Sequence, residues 1–174
     1  MYRIEVLLSE EEVDRRISEI GAEISRDYEG KTVHLIGILK GSAPFMCELA
    51  KRIEVPVTMD FMAVSSYGSG TKSSGKVDIK KDLDEDIEGK DVIVVEDIID
   101  SGRTLAYLME LFGTRKPASL KLCTLIDKPE GRVVDNIEVD YTGFKIPDEF
   151  VVGYGLDYDQ KHRNLPYIGI VKFD

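Results

Sequence analysis

Three carboxylates lie within a short stretch near the middle of the chain, beside residue types that bind phosphate. Glu96 and Asp97 follow the apolar run 92–95, and Asp100 comes directly before a Ser-Gly turn. Carboxylate oxygens accept hydrogen bonds from sugar hydroxyls and are ligands for divalent cations. Carboxylates and phosphate become compatible neighbours when a divalent cation or a polyhydroxylated sugar lies between them. The pattern therefore predicts a site for a phosphorylated sugar with magnesium.

The residues after Asp100 are suited to holding a phosphate group. Ser101, Gly102 and Thr104 offer backbone N–H groups and hydroxyls, and Arg103 offers a charged contact. A helical apolar pattern begins directly after them, so the turn lies at a helix N-terminus, where the dipole favours anions. The β-branched run before the carboxylates predicts a buried parallel strand. Strand, loop and helix in this order predict a ligand site at the carboxyl end of a strand, where open α/β sheets bind ligands.

Apolar patterns along the rest of the chain predict one α/β domain. Ser9 and Glu12 form a capping-box pattern before a helix predicted over 10–28. Strands that alternate with helices favour a mostly parallel, twisted sheet with helices on both faces. The N-terminal segment and about 130–170 are expected to form a small hood, with 130–149 irregular. The other predicted elements are strands at 33–39, 57–65, 77–83, 120–126 and 167–173 and helices at 43–53 and 105–112.

Composition and charge narrow the class of protein. Of the 174 residues, 43% are hydrophobic and 32% are charged, as in a soluble globular domain. The net charge of −10 disfavours nucleic acid as the main partner. No apolar run approaches the length of a membrane span, and the N-terminus has no signal-peptide pattern. Cys47 and Cys123 have apolar neighbours in the sequence, which favours two buried free thiols in a reducing compartment. Together these features predict a cytoplasmic protein with no membrane partner.

The sequence EDIIDSG at 96–102 resembles the phosphoribosyl pyrophosphate (PRPP) binding loop of type I phosphoribosyltransferases, and is close to their hypoxanthine-guanine branch. The resemblance extends from about Leu35 to Arg163. It implies the fold of that family and transfer of the 5-phosphoribosyl group from PRPP to a 6-oxopurine base, hypoxanthine and also guanine. The products are then IMP or GMP and pyrophosphate, in purine salvage. Mg²⁺ is the implied cofactor, PRPP and the purine base are the small-molecule partners, and a homodimer or homotetramer is the implied assembly.

The resemblance also implies which residues bind PRPP and metal. Glu96 and Asp97 hold the ribose hydroxyls, directly or through magnesium, and Asp157 binds a second magnesium ion. The loop 100–104 wraps the 5-phosphate, mostly with backbone N–H groups.

The pyrophosphate is assigned to a second loop by the same resemblance. Lys40 and Gly41 belong to this loop, in which the peptide between Leu39 and Lys40 is often cis in the family, and Arg163 faces the pyrophosphate. Residues 42–44 replace a more Gly-rich stretch of some relatives.

The purine site is assigned in the same way. The resemblance implies a purine-binding group of Lys128, Phe150, Val151 and Asp157, in which Lys128 selects 6-oxopurines and Phe150 stacks on the ring. Asp100 is the candidate general base at purine N7. Plainer interpretations remain open from the residues alone: Asp100 as a cap of the next helix, Lys128 as a solvated turn lysine and Phe150 as a core residue.

Residues 65–76 contain eight Ser or Gly in twelve positions. This composition suits a flexible hairpin connection or a linker. A long loop inside one domain is more often an active-site lid, and the pair Ser66-Tyr67 resembles the mobile loop that closes over the transition state in this family. We therefore expect a lid at about 65–76, with Ser66 and Tyr67 as its contacts.

Two other functions are compatible with a PRPP-binding loop. One is a regulator that senses PRPP and binds nucleic acid or a protein partner, which usually needs a basic face and is disfavoured by the net charge of −10. The other is a transferase for xanthine, adenine or a pyrimidine. Lys128 together with 150–153 favours a 6-oxopurine. Hypoxanthine and guanine differ only at the 2-position, so the sequence leaves the choice between them open.

Overall fold

A six-stranded sheet forms the centre of the protein in a computed structural model that describes residues 1–66 and 77–173. Among these six strands, the edge strand Val77–Lys81 pairs antiparallel with its neighbour. Every other pair of neighbouring strands in this sheet is parallel. The predicted, mostly parallel sheet is therefore confirmed. In spatial order the strands are Val77–Lys81 (β4), Val57–Ser66 (β3), Val33–Leu39 (β2), Asp91–Ile99 (β5), Ser119–Asp127 (β6) and Tyr141–Lys145 (β7).

Three helices cover the two faces of this sheet: Glu10–Asp27 (α1), Ala43–Ala50 (α2) and Arg103–Thr114 (α3). Alternate residues of the central strands belong to separate apolar clusters. Leu35 and Ile93 pack with α1 and α2, whereas Ile36 and Val94 pack with α3. In the described part of the chain, no helix is long and apolar enough to cross a membrane.

The predicted boundaries of the helices are close to the observed ones. The helix predicted over 43–53 ends at Ala50, although Ile53 beyond it remains buried in the same apolar cluster. The capping box at the start of α1 is present: Ser9 Oγ accepts a hydrogen bond from the backbone N–H of Glu12 at 3.2 Å, and Glu12 Oε2 accepts one from the Ser9 N–H at 2.8 Å.

The strand β7 corrects the prediction of irregular hood structure at 130–149. Its five residues pair in parallel with β6 at the edge of the central sheet. Arg16 of α1 stabilises this edge, because its Nη2 donates to Thr142 O at 2.7 Å and its Nε to Gly143 O at 3.1 Å. A Cβ on Gly143 would lie 2.3 Å from Leu125 O. So short a segment, with a glycine at its centre, lacks the alternation by which strands are predicted.

A second, three-stranded antiparallel sheet forms the hood. Its order is Tyr2–Leu8 (β1), Ile168–Phe173 (β9) and Val151–Val152 (β8). The N-terminal segment therefore pairs with the last strand of the chain. Of the segment about 130–170, residues 151–152 and 168–170 lie in this sheet, whereas β7 does not.

Two predictions concern residues at the margins of this description. The predicted lid at 65–76 begins at the end of β3, and its remainder, with Tyr67, lies outside the described residues, so the lid stays a prediction. Cys123 is a buried free thiol, as expected, but the prediction for Cys47 was wrong. Cys47 is exposed because it lies on the outer face of α2, whose buried residues are Phe45, Met46 and Leu49.

The capping box yields a test of the fold. We expect Ser9→Ala to lower the stability by about 1 kcal/mol, because the Glu12 N–H at the start of α1 loses its hydrogen-bond acceptor. For a chain of this length that corresponds to a melting temperature lower by about 2–4 °C. Differential scanning calorimetry measures it. Glu12→Gln is the control, since glutamine also completes a capping box; an equal loss in both variants would contradict the explanation.

Candidate active site

The carboxyl ends of β2, β5 and β6 meet at one edge of the sheet, because these strands are parallel and adjacent. Lys40 directly follows β2, Glu96 and Asp97 lie near the end of β5, and Lys128 directly follows β6. Residues that the sequence assigns to pyrophosphate, ribose and purine are thus brought to the same edge of the molecule.

The loop after β2 passes very close to Asp97. A Cβ placed on Gly41 would lie 1.7 Å from Asp97 Oδ2, so the absence of a side chain at Gly41 allows the approach. The peptide between Leu39 and Lys40 is cis, as the family resemblance implied. The helix α2 begins immediately afterwards at Ala43, so the departure at 42–44 leaves the loop closed by a helix.

The loop between β8 and β9 closes over the same point. Gly155 has a φ of +99°, and a Cβ on it would lie 1.9 Å from Gly41 O. Arg163 Nη1 donates to Gly155 O at 2.6 Å, and its Nη2 lies 3.0 Å from Asp157 Oδ1. The structure therefore brings Gly41, Asp97, Asp157 and Arg163 together.

Gln160 joins this group, although nothing in its sequence surroundings indicated a role. Its backbone N–H donates to Asp157 Oδ2 at 2.9 Å, and Lys40 Nζ donates to its Oε1 at 3.5 Å. Lys40 and Arg163 thereby bring two positive charges to the site. An anion such as pyrophosphate can bind between such charges.

Burial controls the electrostatics of Glu96 and Asp97. It raises the pKa of Glu96 well above its usual range, and the adjacent Asp97 carboxylate raises it further. Burial also raises the pKa of Asp97, although hydrogen bonds from its surroundings and the charge of Arg163 lower it. Two neighbouring, half-buried carboxylates are a favourable place for a divalent cation.

The protein alone supplies few metal ligands here. Within residues 1–66 and 77–173, no group of three or more His, Cys, Asp or Glu side chains is arranged to hold a metal ion. Glu96, Asp97 and Asp157 are the carboxylates at the site. Mg²⁺ binds mostly through waters, one or two carboxylates and substrate phosphates. The donor set therefore fits a magnesium ion that is bound together with a phosphorylated substrate.

The turn after Asp100 lies at the start of α3, as predicted. Gly102 takes the left-handed conformation, with a φ of +80°, and Arg103 and Thr104 form the first turn of the helix. Ser101 Oγ accepts a long hydrogen bond from the Arg103 N–H, at 3.4 Å. The N–H groups at a helix N-terminus have no partners within the helix, so this turn is suited to a phosphate.

Arg132 and Val133, which carry no motif in the sequence, hold this turn in place. Arg132 Nε donates to Asp100 O at 3.4 Å, and its Nη2 forms an ion pair with Asp127 at the end of β6. The Val133 N–H donates to Ser101 O at 3.1 Å. The turn is therefore bound to β6 by side-chain and backbone contacts.

Asp100 and Lys128 are neighbours, as the purine assignment requires. Lys128 Nζ lies 3.5 Å from Asp100 Oδ2 and 3.5 Å from Asp148 Oδ1. Lys128 is only 5% exposed, whereas Asp100 is open to solvent. The interpretation of Lys128 as a solvated turn lysine is thereby excluded. Asp148 was missed because one aspartate in an irregular segment carries no motif.

The hood contributes the aromatic side of the site. Phe150 is 46% exposed, which is unusual for a core phenylalanine, and Val151 beside it is buried in β8. The Tyr158 ring meets Phe150 edge to face, with the centroids 5.7 Å apart. Tyr158 in turn packs against Tyr2 of β1 and Phe173 of β9. An open phenylalanine face held by such a cluster can bind a planar ring.

Residues 5–159 match the model of a known family, described as the phosphoribosyl transferase domain. The chain belongs to this family. The resemblance drawn from the sequence EDIIDSG at 96–102 is therefore confirmed.

Curated phosphoribosyltransferases are similar along nearly the whole chain. Hypoxanthine-guanine phosphoribosyltransferases from Streptococcus thermophilus and Bacillus subtilis are each 56% identical over 167 residues, which are 96% of this chain and 92% of theirs. By this similarity the chain is an enzyme of the hypoxanthine-guanine group. Enzymes of this group are glycosyltransferases of purine salvage, with the class number EC 2.4.2.8.

A longer relative contains a similar phosphoribosyltransferase as one part. The bifunctional protein TilS/HprT of Listeria monocytogenes is 59% identical over 167 residues, and the chain spans only 26% of its length.

Solved structures of phosphoribosyltransferases share the fold. A hypoxanthine phosphoribosyltransferase from Staphylococcus aureus superimposes with a TM-score of 0.93 at 55% identity, covering 97% of this chain and 91% of its own. A hypoxanthine-guanine phosphoribosyltransferase from Bacillus anthracis gives 0.93 at 48% identity and covers 99% and 100%. The predicted fold class is thereby confirmed.

The raised pKa of Glu96 predicts a stability that depends on pH. In the unfolded chain this carboxyl ionises near its ordinary pKa of about 4.3. Ionising Glu96 in the folded phosphoribosyltransferase is less favourable than in the unfolded chain. The resulting loss of folding stability is absent below about pH 4.3 and grows as the pH rises above that value. Glu96→Gln removes the penalty, and we expect a melting temperature higher by about 2–4 °C at about pH 8, which is about 1 kcal/mol.

Thermal melts across the pH range measure this difference. The gain should fade as the pH falls below about 4.3, where the carboxyl is protonated in the unfolded and in the folded chain. Glu138→Gln, at an exposed position, is the matched control and should change little. A gain that is the same at all pH values would contradict the electrostatic explanation.

Proposed function

We propose that the chain transfers the 5-phosphoribosyl group of PRPP to a 6-oxopurine, hypoxanthine or guanine, and releases pyrophosphate. The observation that carries the proposal is the buried ammonium of Lys128, 3.5 Å from the open carboxylate of Asp100, at the sheet edge that also holds the carboxylate pair and the phosphate turn. A paired donor and acceptor at this place suit a purine that presents O6 and N7 on one edge.

The PRPP end of the site binds by charge and by backbone. Lys40 and Arg163 attract the pyrophosphate, and the turn 100–104 holds the 5-phosphate at the start of α3. The displacement builds positive charge on the anomeric carbon and negative charge on the leaving group. Glu96 and Asp97 face the first through the ribose hydroxyls, and the cations face the second.

Magnesium is part of the proposal through the chemistry of its ligands. Glu96, Asp97 and Asp157 are the residues that would hold it, together with oxygens of PRPP and pyrophosphate. When bound, the metal neutralises charge on the departing pyrophosphate. The carboxylates, for their part, orient the ribose and exclude a second anion from the same place.

The purine end uses one residue for each function. Asp100 accepts the proton from N7, and Lys128 donates to O6. Phe150 packs on the ring and the backbone of Val151 borders its edge. An adenine amino group would place N–H donors against an ammonium, so Lys128 disfavours 6-aminopurines.

Assembly and location are inferred from the family. We infer a homodimer or homotetramer in the cytoplasm, in line with the resemblance to bacterial salvage enzymes. The predicted lid with Ser66 and Tyr67 is part of the same proposal, and would close over PRPP when both substrates are present.

A screen of five bases tests the function. Hypoxanthine, guanine, xanthine, adenine and uracil are each supplied with PRPP and magnesium, and nucleotide formation is followed spectrophotometrically. We expect turnover with hypoxanthine and guanine, and its loss in excess chelator with recovery on added magnesium. Turnover with adenine or uracil alone would contradict the assignment, and full activity in chelator would remove the metal from it.

The role of Asp100 gives a sharper prediction. We expect Asp100→Asn to lower kcat by about 10²–10⁴-fold, because a general base is lost while the shape of the loop is kept. PRPP affinity, measured by calorimetry, should stay near that of the wild type. Asp135→Asn, at an exposed position in the same region, is the control. Unchanged turnover in Asp100→Asn would leave this residue only a loop-shaping role.

A further inference from the structure

The ammonium of Lys128 lies between two carboxylates, of which only Asp100 has a role in the proposed reaction. The second, Asp148, has its Oδ1 3.5 Å from Nζ. The Lys128 side chain is 7% exposed and that of Asp148 is 65% exposed, so the pair connects the floor of the purine site with solvent. A buried ammonium is strongly unfavourable without a counter charge, and Asp148 supplies one from outside the reacting groups.

Backbone contacts hold Lys128 directly and hold the start of the segment that carries Asp148. The Lys128 N–H donates to Ile99 O at 2.9 Å, which ties the lysine to the end of β5. The segment that carries Asp148 starts at Ile146, whose N–H donates to Asp127 O at 3.0 Å. The ends of β5 and β6 therefore bring Lys128 and the segment with Asp148 next to each other.

We propose that Asp148 is a positioning residue for purine recognition, which shares the Lys128 ammonium with Asp100 and so keeps it from pairing with Asp100 alone. This inference rests on the proposed function. An ammonium has three N–H donors, so Lys128 can keep Asp148 as partner while it donates to the purine O6. When Asp100 turns to N7, Asp148 remains as the counter charge.

The loss of Asp148 would leave Asp100 as the carboxylate partner of the Lys128 ammonium. Among the described residues, Asp100 and Asp148 are the only carboxylates within 4.0 Å of Lys128 Nζ. Without Asp148, the ammonium pairs with Asp100 alone. Purine binding must then break that pair, so each group is less available to the base.

Steady-state kinetics on Asp148→Asn tests the proposal. We expect the KM for hypoxanthine to rise about tenfold, as for the loss of a charge-assisted hydrogen bond, and the KM for PRPP to stay within about twofold. Asp148→Glu should recover most of the hypoxanthine affinity. Glu149→Gln is the matched control, since its carboxylate pairs with Lys172 at 3.2 Å instead. Equal increases in both KM values would indicate general damage to the site and overturn the proposal.

A double-mutant cycle shows whether Asp148 acts through Lys128. In the Lys128→Gln background, adding Asp148→Asn should leave the KM for hypoxanthine within about twofold, because the ammonium that it positions is gone. A further tenfold rise in that background would mean that Asp148 acts on its own, and the proposal would be wrong.

The wild-type enzyme separates this inference from the proposed function. If the wild type does not use hypoxanthine, the proposed function fails, and calorimetric titration with IMP then decides on Asp148. IMP carries the same 6-oxo group, so weaker IMP binding by Asp148→Asn than by the wild type supports the inference. Equal IMP binding, or none by either protein, overturns it.

Discussion

The side-by-side carboxylates of Glu96 and Asp97 are the constraint on which the arrangement of this site depends. Burial raises the pKa of both, so the protein holds two groups whose charged forms are poorly hydrated. We therefore expect the free protein to be more stable without this pair, and a substrate that binds together with a divalent cation would offset that cost. Functional sites commonly contain residues that lower the stability of the free protein and are stabilised when the ligand binds.

The surroundings of the pair follow from the same constraint. A side chain at position 41 would collide with Asp97, and a side chain at position 155 would collide with the backbone of Gly41. Two glycines therefore allow the loop after β2 and the loop between β8 and β9 to approach the carboxylates closely. Arg163 lies on the far side of this contact, where its charge lowers the pKa of Asp97 and its fork also reaches Asp157. The central sheet and the hood thus meet at one small group of atoms.

Local patterns predicted most of the fold and, within the candidate site, the residues that are consecutive in the chain. The strand β5, the turn 100–104 and the helix α3 are consecutive in the chain, so their chemistry is visible in one stretch of sequence. Asp148, Gln160 and Arg132 reach the site from distant irregular segments, and single residues of these types carry no pattern. Their contacts depend on backbone hydrogen bonds between strand ends, which only the folded chain defines.

The same distinction explains the errors in the predicted elements. The strand β7 is five residues long and carries a glycine at its centre, because Leu125 O lies where a side chain would be. Tertiary packing, and not local preference, makes it a strand. Cys47 shows the reverse case, since an apolar neighbourhood in sequence did not place that thiol on the buried face of α2.

The contact of Arg16 with β7 has a consequence for how the molecule behaves in a crowded solution. An edge strand offers unpaired backbone groups to any other extended chain, and is a common start of aggregation. Here a guanidinium already holds the carbonyl oxygens of Thr142 and Gly143. An incoming strand would have to displace that guanidinium, together with its ion pairs to Glu19 and Glu23, before it could use these acceptors. Besides covering the core, α1 therefore also hinders another chain from adding a strand at β7.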